Sequence, residues 1–97
     1  MLKVKVKYFT TLCELAGRTE EELMMNDCAT LIDLIKIIVS KYGRETYDYI
    51  YEKRTGKVDP SIYFLINGKD SRILSGLNTK LKNGDVIAII PPIGGGG

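Results

Sequence analysis

Histidine is absent from this chain of 97 residues. Its absence removes the usual general base and the commonest metal ligand. Cysteine is scarce. Cys13 and Cys28 stand fifteen positions apart, outside any CxxC pattern and without further zinc ligands nearby. A disulfide between them stays open, and two reduced, mostly buried thiols are the expectation. No apolar run reaches the 18 residues of a membrane span, and no signal or transit peptide is recognisable, which points to the cytoplasm. An excess of one charge is missing too. Fourteen Lys and Arg face twelve Asp and Glu, a net +2 that by itself implies neither nucleic acid nor an acidic partner.

What is present is an ordinary globular composition, 44% hydrophobic and 27% charged, with enough chain for one modest core. Leu2 to Phe9 alternates, with Leu2, Val4, Val6 and Tyr8 on one face and Lys3, Lys5 and Lys7 on the other. That is a half-buried strand. Glu20 to Asn26 reads as a second, antiparallel strand, with Leu23 and Met25 inward and Glu20 and Glu22 across from the lysines. Between them, Thr10 to Ala16 reads as a short helix stopped by Gly17, with Leu12 and Leu15 facing in.

Thr30 opens the main helix as its cap, and Asp33 favours the positive end of the dipole. Leu31, Leu34, Ile35, Ile38 and Tyr42 form its apolar stripe, and Gly43 ends it. A second short helix is expected from Glu45 to Lys53, with its tyrosines packed on the body rather than stacking on bases, since no basic patch surrounds them. Ser61 to Ile66 then reads as a strand. Asn67-Gly68 is a hairpin turn, and Asp70 to Leu74 is the return strand. Leu77 and Leu81 anchor the next loop. Asp85 to Ile90 is apolar on both faces, as a central strand would be. One helix covering one face of such a sheet gives an α+β, ubiquitin-like β-grasp over residues 1–92.

Residues 93–97 form a tail. Pro91 and Pro92 stiffen its root and stop strand pairing. Ile93, Gly94, Gly95, Gly96 and Gly97 follow, and fully extended they reach roughly 17 Å. Glycine adds no core, so the tail is expected to be mobile. It offers a slim backbone ending in a carboxylate, suited to a narrow partner site.

Across nearly its whole length the chain resembles the small subunit of molybdopterin synthase and the related MoaD/ThiS-type sulfur carriers. The resemblance rests on Tyr8-Phe9, Glu14-Leu15-Ala16-Gly17, Thr30 and Ile66-Asn67-Gly68-Lys69-Asp70. It continues through Leu77-Asn78-Thr79-Lys80-Leu81-Lys82-Asn83-Gly84-Asp85 and Pro91-Pro92-Ile93 before the glycines. It implies a non-catalytic carrier. An E1-like enzyme would spend ATP to adenylate Gly97, with Gly96 as its partner in the motif. A sulfur donor such as a cysteine desulfurase would convert the adenylate to a thiocarboxylate. The tail would then enter the large subunit of molybdopterin synthase and give its sulfur to a molybdenum or tungsten pterin dithiolene. No bound cofactor, nucleic acid or membrane is implied. Relative to the usual spacing Gly97 is one extra residue, and Arg44 to Pro60 is longer than in compact members.

A protein modifier joined through Gly97 to target lysines, a carrier for thiamin or tRNA thiolation, and a plain β-grasp binding module are the competing readings. Catalysis by the chain itself is not expected without a nucleophile–base constellation. Strand parity suggests a docking patch on the bare sheet face beside the tail: Tyr63, Leu65, Ile87 and Ile89, with Pro91 to Gly95 continuing the contact. In that reading Phe64, Ile66, Val86, Ala88 and Ile90 face the helix. The alternative is that Arg44 to Pro60 folds over the patch.

Overall fold

The alternation of β1 (Leu2–Tyr8) survives as burial: Val4, Val6 and Tyr8 are inside, and Lys3 and Lys7 are not. The computed structural model describes residues 1–91. After α1 (Thr10–Ala16) and Gly17 in the left-handed region (φ 72°), the chain returns antiparallel as β2 (Glu20–Met25). Leu12 and Ala16 are the buried residues of α1, with Leu15 only partly covered.

The main helix, α2 (Leu31–Tyr42), begins where Thr30 and Asp33 predict. The Thr30 amide donates to Asp33 Oδ2 at 2.9 Å, and that bond leads the contacts holding the Asp33 carboxyl below its usual value. Leu31, Leu34, Ile35 and Ile38 are completely buried, each contributing about 2 kcal/mol as an upper bound. Gly43, at φ 93°, ends the helix and lets α3 (Arg44–Ile50) start at once. This helix is shorter than expected. Tyr51 turns extended and bridges Val58, while the Asp59 amide donates to the Ile50 carbonyl, so residues 51–58 close a loop instead.

The expected strand from Ser61 shortens to β3 (Tyr63–Ile66), because Asp59 Oδ1 accepts from both the Ser61 amide (2.9 Å) and its hydroxyl (2.6 Å). Asn67 and Gly68, at φ 52° and 85°, make the tight hairpin. The return strand β4 is only Lys69–Asp70. There Asp70 takes the Arg72 amide at 2.9 Å and starts a 3-10 turn, Ser71–Ile73, with a second at Gly76–Asn78. β5 (Val86–Ile90) completes the sheet.

The described strands lie in the order β2-β1-β5-β3-β4, with β5 in the middle and parallel to β1. Helix α2 covers one face, which is the expected β-grasp. Ile50 is buried in that same core, so α3 and its loop pack on the helix side and leave the other sheet face uncovered. No described helix is long and apolar enough to cross a membrane. Both cysteines are free thiols. Cys13 is half-buried, but Cys28 is exposed, contrary to the buried thiol expected, because it sits in the turn before α2 rather than in an element. Pro92 to Gly97, and with them the expected tail, lie outside the described residues.

Candidate functional site

Three neighbouring strands build the bare face at the root of the tail. Tyr63 pairs with Ile90, and Leu65 pairs with Ala88. On the other side of β5, Lys5 pairs with Val86 and Lys7 with Ala88. Because side chains in register share a face of the sheet, Val86, Ala88 and Ile90 lie on the lysine side, and all three are half-exposed. Tyr63 is 45% exposed and Leu65 is half-buried. The patch is therefore Tyr63, Leu65, Val86, Ala88 and Ile90.

This corrects one half of the expected patch. Ile87 and Ile89 are buried under α2, at 0% and 1% exposure, and cannot meet a partner. Ile87 pairs with Val6 and Ile89 with Tyr8, both core residues, and this register sets the parity of β5. Tyr63 and Leu65 are where the sequence placed them. Pro91 is half-exposed at the end of β5. Pro92, Ile93, Gly94, Gly95, Gly96 and Gly97 fall outside the described residues.

Charges rim the patch on both sides. On one flank Lys3 and Lys5 pair diagonally with Glu22 (3.9 Å) and Glu20 (3.4 Å), as expected. On the other, the Arg72 guanidinium lies 4.3 Å from the centre of the Tyr63 ring. Arg72 also donates to Asp70 at 3.1 and 3.0 Å and to the Pro60 carbonyl at 3.2 Å, which fixes it in place. The pair holds the Asp70 carboxyl below its usual value. No sequence signal singled out Arg72. The 3-10 turn that aims it is visible only in the fold.

A second cluster was also missed, and it lies on the helix side. Glu21, with its side chain 4% exposed, accepts hydrogen bonds from Tyr8 (2.5 Å), Tyr42 (2.6 Å) and Lys41 (2.6 Å). Arg18 stands 3.3 Å away. Burial pushes the carboxyl up, but the bonds from Lys41, Tyr42 and Tyr8 outweigh it and hold Glu21 below its usual value. Burial first, and then the Glu21 bond, raise both tyrosines. The cluster clamps the last turn of α2 to β2. The signal was available: Glu21 shares parity with Leu23 and Met25.

Among the described residues no group of three Cys, Asp or Glu could hold a metal ion. The site offers an apolar platform, a charged rim and the root of a chain end. The ThiS family model matches residues 6–96. This chain belongs to the ThiS family. Its fold agrees with small archaeal modifier protein 1 from Methanosarcina acetivorans, 39% identical, at a TM-score of 0.81 over 98% of this chain and 97% of that one. A candidate molybdopterin converting factor, subunit 1, from Pyrococcus furiosus is 31% identical. Its TM-score is 0.72 over 96% of this chain and all of that one. Small archaeal modifier protein 3 of Haloferax volcanii is 27% identical over 95 residues, covering 98% of this chain and 100% of the relative. Family membership makes the chain a small ubiquitin-like protein of the sulfur-carrier or modifier type.

Proposed function

We propose that this member of the family is a sulfur carrier whose reactive group is the carboxylate of Gly97. The observation that carries the reading is the apolar face of Tyr63, Leu65, Val86, Ala88 and Ile90, which ends at the base of the Pro-Pro-Ile-Gly run. An exposed apolar patch on a small protein marks a partner surface. Its place beside Pro91 explains how a glycine chain end is aimed: the body docks, and the end enters the partner.

The chemistry follows from the carboxylate. A free acid does not react with sulfur nucleophiles at neutral pH. A carboxylate oxygen of Gly97 attacks the α-phosphorus of ATP on an E1-like enzyme, and pyrophosphate leaves. Hydrosulfide, from a sulfide-level donor, then attacks the carbonyl carbon, the bond to AMP breaks with AMP leaving, and loss of the proton from sulfur leaves a thiocarboxylate. Glycine at positions 96 and 97 leaves that carbon unhindered and passes a channel too narrow for a Cβ. The Pro91-Pro92 pair and the likeness to the molybdopterin converting factor favour a pterin dithiolene as acceptor, with the large subunit of molybdopterin synthase as partner.

A modifier role is the second reading, favoured by the name of the 39% identical relative. Both begin with the same adenylate and differ in the nucleophile, a sulfur donor or a target lysine. Incubation with ATP, a sulfide source and a cognate activating enzyme separates them. A carrier gains one sulfur in place of oxygen by intact mass. A modifier also forms lysine-linked bands that survive a denaturing gel. Recovery of unmodified protein alone refutes both.

A further inference from the structure

The far end of the sheet from Ile90 carries a second surface of distinct character. A cavity of about 270 Å³ opens there, bordered by Lys69, Lys80, Lys82, Leu74, Thr79 and Asp85. All three lysines are exposed. Among the described residues none of them has a carboxylate within ion-pair distance, whereas Lys3, Lys5 and Lys41 all do. The one acid in the wall offsets only one of them. Asp85 is buried, with Oδ1 accepting from Asn67 Nδ2 and Oδ2 from the Lys82 amide, each at 2.8 Å. Three cations thus ring one engaged carboxylate, a local excess as large as the net +2 of the whole chain. Beside them Leu74 is 42% exposed and Ile73 is 74% exposed.

We propose that this cavity is a second docking site, for an acidic segment of a partner protein. Such a segment sets one aliphatic side chain against Leu74 and its carboxylates on Lys69, Lys80 and Lys82. Charge complementarity selects the acid, and the exposed Leu74 and Ile73 select a peptide over a polyphosphate chain, which gains nothing from them. No aromatic ring lines the cavity for a base to stack on. The position adds a consequence. Asn67 bonds Val86 at the start of β5, so about 16 Å of strand separates this site from Pro91. A partner held here leaves Pro91 and the Ile90 end of the apolar face uncovered, and two proteins can grip the domain together.

The test is an amide-resolved titration of the full chain with a synthetic peptide, one leucine flanked on each side by two glutamates. Saturable shifts should concentrate at residues 66–69, 74 and 79–85, and binding should weaken as salt rises. The triple variant Lys69→Ser, Lys80→Ser, Lys82→Ser should bind about tenfold more weakly. The double variant Lys53→Ser, Lys57→Ser should bind as the parent does. A peptide with serine in place of leucine tests the apolar half without altering the protein, and should also bind more weakly. Shifts scattered over every lysine overturn the proposal. So does equal affinity in the triple variant, and so does a single-stranded RNA that outcompetes the peptide.

Discussion

Replacing Glu21 should cost this domain a large share of its stability. In Glu21→Ala the Tyr8 hydroxyl, on a residue only 2% exposed, loses its acceptor. A buried polar group left without a partner costs about 1–3 kcal/mol. Lys41 and Arg18, with side chains 41% and 49% exposed, can turn to water, so losing these two pairs adds little. Tyr42 loses a charge-assisted bond at the rim. Together these come to roughly 3 kcal/mol, against a usual domain stability of about 5–15 kcal/mol. For a domain of this length the melting temperature should fall by roughly 15 °C. Glu21→Gln keeps an acceptor and should lose about half as much.

The acid response carries the same signature. The folded Glu21 carboxyl is held below its ordinary value of 4.5, so the fold favours the ionised form. Its contribution is complete above about pH 4.5 and disappears as pH falls through the lower folded value. Thermal melts followed by circular dichroism at neutral pH and down to about pH 3 measure both effects. A Glu21→Ala melting temperature within about 3 °C of the parent would refute the argument. So would an equal acid slope in Glu21→Gln and the parent.

Three further outcomes are expected. Deleting Gly96 and Gly97 should abolish thiocarboxylate formation and change stability by less than roughly 0.5 kcal/mol, since neither residue has a side chain to bury; a chemical denaturation curve and an intact-mass assay check the two halves. Leu65→Asp and Ala88→Asp should stay folded yet weaken binding to the activating enzyme, measured by calorimetry, whereas Ile89→Asp should unfold the domain because it buries a charge without a partner; a folded Ile89→Asp would overturn the register of β5. Gly68→Val should cost about 1–2 kcal/mol in a denaturant titration, because φ 85° is strained for a β-branched residue even where space is open.

Much of this protein was determined locally. The alternation of β1, the Thr30–Asp33 start of α2 and the Asn67-Gly68 turn depend on neighbours in sequence, and each appears where those neighbours put it. The lysine and glutamate rows follow from the same two-residue period. The glycine run is likewise visible as chemistry without any fold. β5 is different. Val86 to Ile90 is apolar at every position, so its pattern carries no sign of which side faces the helix. That choice belongs to the parallel register with β1, where Val6 meets Ile87 and Tyr8 meets Ile89. Lys41 and Tyr42 over Glu21 are likewise contacts between distant parts of the chain, and Arg72 reaches Tyr63 only once the β3–β4 hairpin and its 3-10 turn have formed. Sequence periodicity reports the two sides of one strand; only the packing of strands and helix against each other decides which side is the core.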